Sequence, residues 1–360
     1  MKRLFISLII LVVALLLGCG KDSDQEATDD RQQTDVSLDF SADTKMYKLA
    51  IIDGQNAEPY LPARLKLLEI LKQRGLVEGK NLKIFSWNVE NNNVKSEKAL
   101  SEAIAQEPDV IVVNGTVPTI VAKKLYFNDG KNKFVFICVT DPVGIGAIDD
   151  FAVPIRFNFT GVSYPVIVKS RFKFITDLMP NVQKIGLIYS EMPQSLSYRK
   201  WVETLFKDDP EFANVKVEFR SVPFITGEDG VKKMADLAVK HVQDLNSIVD
   251  VFVSPNDQMG VNKYFPEVVW KNAKKPLIGL GINDVMKGWG ATAVIYPSHD
   301  SMGEQAGIMV MKMFKGVKMR FIPAEWPKKN GFAFDLNKTK KFGIEVPVKF
   351  MQLAGNNIVR

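Results

Sequence analysis

The chain is built from short apolar runs separated by stretches of helical spacing. The clearest run is Phe134 to Val139, FVFICV, followed by Thr140-Asp141-Pro142-Val143-Gly144. An unbroken run rich in β-branched and aromatic residues predicts a strand covered on both faces. Pro142 cannot donate to a ladder and Gly144 permits unusual dihedrals, so the strand ends there. Its end presents a hydroxyl and a carboxylate on a short loop. In open α/β sheets, ligands bind just beyond such carboxyl ends.

The same pattern recurs along the chain. A strand at 48–53 precedes a helix whose Leu61, Leu65, Leu68 and Leu71 share one face and which Gly75 stops. Strands at 81–87, 109–115 and 134–139 then alternate with helices at 94–106 and 118–126. After Phe159-Thr160-Gly161-Val162 the alternation begins again. Helices are predicted at 165–178, 195–207, 229–245 and 258–273, and strands at 185–190, 215–220, 249–254 and 275–281. A strand at 291–298 breaks at Pro297. The helix from Asp300 to Phe314 follows, with Gly303 and Gly307 allowing close packing. The tail 320–360 predicts a last strand and a short helix. Strands alternating with helices specify βαβ units and parallel sheets, so the fold class is α/β with two similar layered domains.

The first 46 residues do not follow this pattern. Lys2 and Arg3 precede an apolar segment from Leu4 to Leu17, shorter than the ~20 residues that span a bilayer as a helix. The segment ends Leu16-Leu17-Gly18-Cys19, which resembles the lipobox of bacterial lipoproteins, where the cysteine is acylated and the leader cleaved in front of it, so residues 1–19 are expected to be a lipoprotein signal peptide. Residues 20–46 carry eight acidic and three basic side chains and few large apolar ones. Such a stretch is expected to be a disordered acidic tether, with packing onto the body expected only near Phe40. The chain's net charge is +6 over 360 residues, with no Lys/Arg block interleaved with aromatics, which argues against nucleic acid. The two cysteines, Cys19 and Cys138, do not form a disulfide framework. Cys138, inside an apolar strand, is expected to be a buried inert thiol.

Candidate chemistry gathers at the strand ends. Asn114 with Thr116, Thr140 with Asp141, Ser190 with Ser195, and Asn256 with Asp257 follow four predicted strands, and Asp284 follows a fifth. Hydroxyls, amides and helix amino-termini at such places bind anions and zwitterions. The same residue types cap helices, and only their recurrence favours a ligand site. Tyr60, Tyr164 and Tyr296 are candidate cleft walls. The two histidines, His241 and His299, form no catalytic triad with a serine, and no metal-ligand spacing is visible. No catalytic residue, metal or cofactor is therefore expected, and a secreted hydrolase is the enzyme rival that this argues against.

The run KLAIIDG, ILKQRGLVEGKNLKI, EPDVIVVNGT, FVFICVTDPVGIG, FTGVS, LMPNVQKIGLIYS and KPLIGLG, in that order, resembles ABC-transporter substrate-binding lipoproteins related to tryptophan- and tyrosine-binding proteins. The resemblance spans about 47–345. It implies a type I periplasmic-binding-protein fold, in which two doubly wound parallel-sheet lobes are joined by a multi-segment hinge and hold a ligand between them. Gly161 and Pro297 would mark two crossings, and a third would lie near 326–332. One lobe would comprise 47–160 and about 297–328, the other 161–296 and about 329–360. Pro255-Asn256-Asp257-Gln258-Met259 stands where the family often shows Thr-Asp-Asn. It resembles a segment of sugar-binding proteins of this fold. Ser298 stands where the family often has an acidic residue.

The expectation is a monomeric, extracytoplasmic solute-binding protein anchored through Cys19, serving an ABC permease and its ATPase. Its ligand is expected to be an amino acid with an aromatic or apolar side chain. A sugar is the alternative ligand, and ligand sensing for a membrane receptor the alternative role.

Overall fold

The structure is a computed structural model and describes residues 36–225 and 229–360. The leader, Cys19 and most of the expected tether lie outside the described residues. Residues 36–46 are packed rather than free. Phe40 is fully buried against Tyr47 and Phe314, its amide donates to the Arg74 carbonyl at 2.8 Å, and Asp43 pairs with Lys315 at 3.0 Å. One large ring in an otherwise polar stretch is enough to fasten it, so the expected tether stops short of 46.

Two sheets organise the body. The first contains β1 (Tyr47–Asp53), β2 (Leu82–Asn88), β3 (Val110–Asn114), β4 (Phe134–Val139) and β5 (Phe159–Ser163), in the order β2-β1-β3-β4-β5, all parallel. Helices α1 (Tyr60–Gln73), α2 (Asn93–Ala105) and α3 (Thr116–Tyr126) connect its strands. Every residue of β4 is buried, as its unbroken apolar run requires. Leu49, Ile51 and Val112 face Leu67 and Leu71 of α1, and Ile52, Ile111 and Phe136 face Leu100 and Val121 of α2 and α3. In α1 the buried face is Ala63, Leu67 and Leu71, while Leu65 is 55% exposed. The expected leucine face is rotated because a second helix lies over α1.

That helix comes from the far end of the chain. The second sheet contains β6 (Lys184–Ser190), β7 (Lys216–Val222), β8 (Val251–Val253), β9 (Leu277–Ile278), β10 (Ala293–Pro297), β11 (Asn330–Asp335) and β12 (Ile358–Val359). Their order is β12-β11-β10-β9-β8-β6-β7, parallel except between β10 and β11. Its helices are α4 (Val168–Leu178), α5 (Pro193–Asp208), α6 (Gly230–Leu245), α7 (Tyr264–Asn272) and the short α8 (Asn283–Met286). After β10 the chain returns to the first sheet as α9 (His299–Phe314), capped by Ser298, whose hydroxyl accepts from Ser301 N. A Cβ at Gly303 would collide with the Ala63 carbonyl, so glycine there lets α9 approach α1. The chain ends with α10 (Leu336–Lys341) and α11 (Val348–Ala354) on the second lobe.

The lobes are joined at three places. Gly161 lies within β5 rather than at a crossing. A side chain there would strike Phe136, and its carbonyl accepts from Glu325 N at 2.9 Å. The chain leaves the first sheet only after Ser163. Pro297 ends β10, opposite Asn330, at the second crossing. The third follows Glu325, whose carbonyl accepts from Ser163 N at 2.9 Å.

Candidate functional site

The carboxyl ends of both sheets face each other across a narrow cleft. Its cavity, about 40 Å³, is lined from the first lobe by Pro59, Tyr60, Asn91, Thr116, Val117, Cys138 and Thr140, and by Tyr164 of the first crossing. The second lobe contributes Gln194, Asn256, Asp257, Gln258 and Val261. Asn256 Nδ2 donates to Thr140 Oγ1 at 3.2 Å, so the lobes touch directly.

Local sequence explains how each wall is placed. Thr116 opens α3 directly after β3, with Gly115 at φ 126° as the turn. A Cβ at Gly115 would crowd the Tyr60 ring. Cys138 adopts φ 57° at a register shift between β4 and β5, which turns its side chain toward the cleft. Burial raises the Cys138 thiol pKa well above its usual value, so it is a neutral wall and not a nucleophile. Burial likewise raises Tyr60 and Tyr164. His299 stacks on Tyr164 with centroids 6.4 Å apart, and burial lowers its pKa to about 4, so its ring is neutral.

The expected site residues divide into groups. Tyr60, Thr116, Thr140, Tyr164, Asn256 and Asp257 line the cavity. Asn114, Ser190 and Ser195 lie behind it. Asn114 Nδ2 donates to Asp53 Oδ1 at 2.8 Å and to the Tyr60 carbonyl at 2.9 Å, and Asp53 also pairs with Arg64. Ser190 and Ser195 give their hydroxyl protons to Asp257 Oδ2, at 2.8 and 2.9 Å. Asp257 is thereby saturated: Oδ2 also takes Ser190 N, and Oδ1 takes Met259 N and Gly260 N. It is a structural hub and has no acceptor left for a ligand ammonium. The same turn delays α7, expected from 258, to Tyr264.

Asp284, Asp141 and Tyr296 stand outside the cavity lining. Asp284 Oδ2 accepts from Leu280 N at 2.7 Å and Gly281 N at 3.2 Å, which folds the expected strand end 279–281 into a loop. Burial raises its pKa to about 7, against the pull of those amides and of Arg171. Asp141 turns away from the cleft and accepts from Gly144 N at 2.7 Å. Tyr296 packs on Gly331 and accepts from Asn357 Nδ2 at 3.2 Å.

Asn91, Gln194 and Gln258 line the cavity without having been expected; Glu58 and Arg171, charged groups that were not expected either, lie outside its lining. Asn91 lies in an Asn-rich turn after β2, a usable signal. Arg171, in the interior of α4, gives no sign of its role. It is buried and donates to the Ser254 and Gly279 carbonyls at 2.8 and 3.1 Å, tying together the ends of β8 and β9. Burial raises Glu58, and Asn283 and Lys287 of the other lobe oppose that shift. Among the described residues, buried Asn114 Oδ1, Asn256 Oδ1 and Asp284 Oδ1 are acceptors without a partner, and the Ser254 hydroxyl is also unpaired.

Comparison with known proteins agrees with this architecture. A tyrosine-binding protein of Clostridioides difficile (strain R20291) is 24% identical over 317 residues, covering 87% of this chain and 84% of that protein. A domain from Streptococcus pneumonia, solved in complex with L-Trp, superposes with TM-score 0.71 at 20% identity, covering 88% of this chain and all of that one. A conserved domain protein from Vibrio cholerae superposes with TM-score 0.72, at the same identity and coverage. The family profile described as ABC transporter substrate binding protein matches residues 59–358. Two facing α/β lobes, a polar cleft between their sheet ends and this match together show that the chain belongs to the ABC transporter substrate-binding proteins, a family of binding proteins and not of enzymes.

Proposed function

We propose that the cleft binds an amino acid with an aromatic or apolar side chain for delivery to an ABC permease. The observation that carries this is the pair of unpaired polar atoms in the cavity lining, the acceptor Asn256 Oδ1 and the donor Asn91 Nδ2, which suit an ammonium and a carboxylate. Asn256 Oδ1, in the cavity lining, lacks a donor, which an ammonium would bring, and Asn114 Oδ1 behind the cavity and Asp284 Oδ1 outside its lining are unpaired too. Asp284 and Glu58, which lie outside the lining of the closed cavity and near each other, are the acids that would supply the counter-charge once the lobes part. Thr116 and Thr140 suit the carboxylate, and the Tyr60 and Tyr164 rings suit an apolar side chain. The tyrosine-binding relative and the L-Trp complex support the same class. Calorimetry with a panel of amino acids and monosaccharides tests the reading. An aromatic or large apolar amino acid should bind, and cells lacking the protein should lose its uptake. Asp284→Ala should cost about 3–5 kcal/mol of that affinity, because the ligand charge is left unpaired. A neutral sugar would lose only about 1–3 kcal/mol for one acceptor. Binding of sugars and of no amino acid overturns the proposal.

We further propose acylation of Cys19, on the strength of the apolar segment ending at Gly18-Cys19. Several acyl chains at ~0.8 kcal/mol per buried methylene hold a protein at a membrane. Cys19→Ser should move the protein to the soluble fraction with altered processing. A variant that is still fully membrane-bound refutes the anchor.

A further inference from the structure

Beside the cleft lies a larger hollow, about 730 Å³, open to solvent and walled by both lobes, with Phe151, Trp201 and Trp326 among its lining residues. Trp326, at the third crossing, is fastened to the first lobe. Its ring stacks on Phe151, in the loop after β4, at 4.4 Å. Its carbonyl accepts from Gln305 Nε2 of α9 at 2.9 Å, and Gln305 Oε1 accepts from Lys328 N at 3.0 Å. The backbone of Glu325, one residue earlier, pairs with Gly161 and Ser163 of β5. Trp201 belongs to the second lobe. It lies within α5 and meets Tyr198 of the same helix edge-on at 6.4 Å. The two indoles meet edge-on at 6.2 Å. Among the described residues, this is the ring contact that reaches from α5 to a residue held by the first lobe.

We propose that Trp201 and Trp326 form a latch outside the cleft, which holds the lobes closed and thereby raises the affinity of the cleft for its solute. Neither residue lines the cleft cavity, so both are positioning residues that act through closure alone. Rotation about the crossings carries α5 away from Trp326. A contact made in the closed arrangement and broken in the open one favours closure by its own free energy, and the solute's apparent affinity rises with the closed fraction. An edge-to-face aromatic pair is worth about three- to tenfold in such an equilibrium. The pair re-forms only after the solute has entered, so it slows release and leaves entry unchanged. The latch rests on the reading that the cleft closes on an amino acid.

The test uses the full-length protein with radiolabelled L-tyrosine and L-leucine, one aromatic and one apolar amino acid. Equilibrium dialysis gives the affinity, release after dilution gives the off-rate, and their ratio gives the rate of entry. Trp201→Leu and Trp326→Leu should each weaken binding and speed release by about three- to tenfold, with entry unchanged. The double variant should be no weaker than either single one, because both remove the same contact. Trp326→Phe, which keeps a ring, should retain most of the affinity. Phe151→Leu, which unseats Trp326, should give the same loss and serves if a tryptophan variant folds poorly. Unchanged release in the single variants, additive losses in the double variant, or slowed entry overturns the latch and leaves the amino-acid reading standing. If the unsubstituted protein binds neither amino acid, that reading falls and the latch falls with it.

Discussion

Three buried carboxylates at the sheet ends show how residue type and role come apart. Asp53 is held by Arg64 and Asn114, Asp257 by five donors, and Asp284 by two amides with one oxygen unpaired. Burial raises all three, and for Asp284 the pKa reaches about 7. An acid whose folded pKa lies above its unfolded value folds more favourably when protonated. Its cost is absent below the unfolded value of 3.8, grows as pH rises toward 7, and is then constant. At 1.36 kcal/mol per unit, the upper bound is about 4 kcal/mol. Asp284→Asn, which imitates the protonated acid, should therefore gain thermal stability relative to the unsubstituted protein as pH rises from about 4 to 7. Melting curves of both across that range check this, and a constant difference counts against the raised pKa.

At the scale of elements, periodicity located helices and strands well and their ends less well. FVFICV reads as a doubly covered strand from composition alone, because nothing else accommodates six buried apolar residues at strand length. The LIGLG segment reads as a longer strand than the two residues that pair, because the amides of Leu280 and Gly281 go to Asp284 instead of a neighbouring strand. The α1 face was misjudged for a related reason. Leu65 continues the leucine spacing, yet Ala63 is buried, since α9 arrives over it from 240 residues later in the chain with Gly303 at the contact.

For the whole molecule, the two lobes and the cleft between them define what binding requires. The cavity of about 40 Å³ has room for a few waters, each needing ~10–15 Å³ on this measure, and is well short of an amino acid. The Asn256–Thr140 hydrogen bond spans the gap, so entry of a solute needs the lobes to separate about the three crossings. Ligand-free protein in solution is therefore expected to have a larger radius of gyration than ligand-bound protein. Small-angle scattering of the body 36–360 with and without a solute proven to bind measures it, and an unchanged radius refutes hinge closure.

The sequence by itself determined the α/β class, the two-lobed repetition and the placing of polar residues at strand ends, because local periodicity and turn chemistry are short-range properties. It also carried the family motifs. Only the tertiary structure decided which of those polar residues face a solute. Asp257 is consumed by Ser190 and Ser195, which are 67 and 62 positions away, and Asp141 turns into a different hollow from Thr140 beside it. Arg171 and Glu58 acquire their roles only when distant strand ends converge. Hydrogen-bond saturation and burial are properties of the assembled neighbourhood, and spacing along the chain does not encode them.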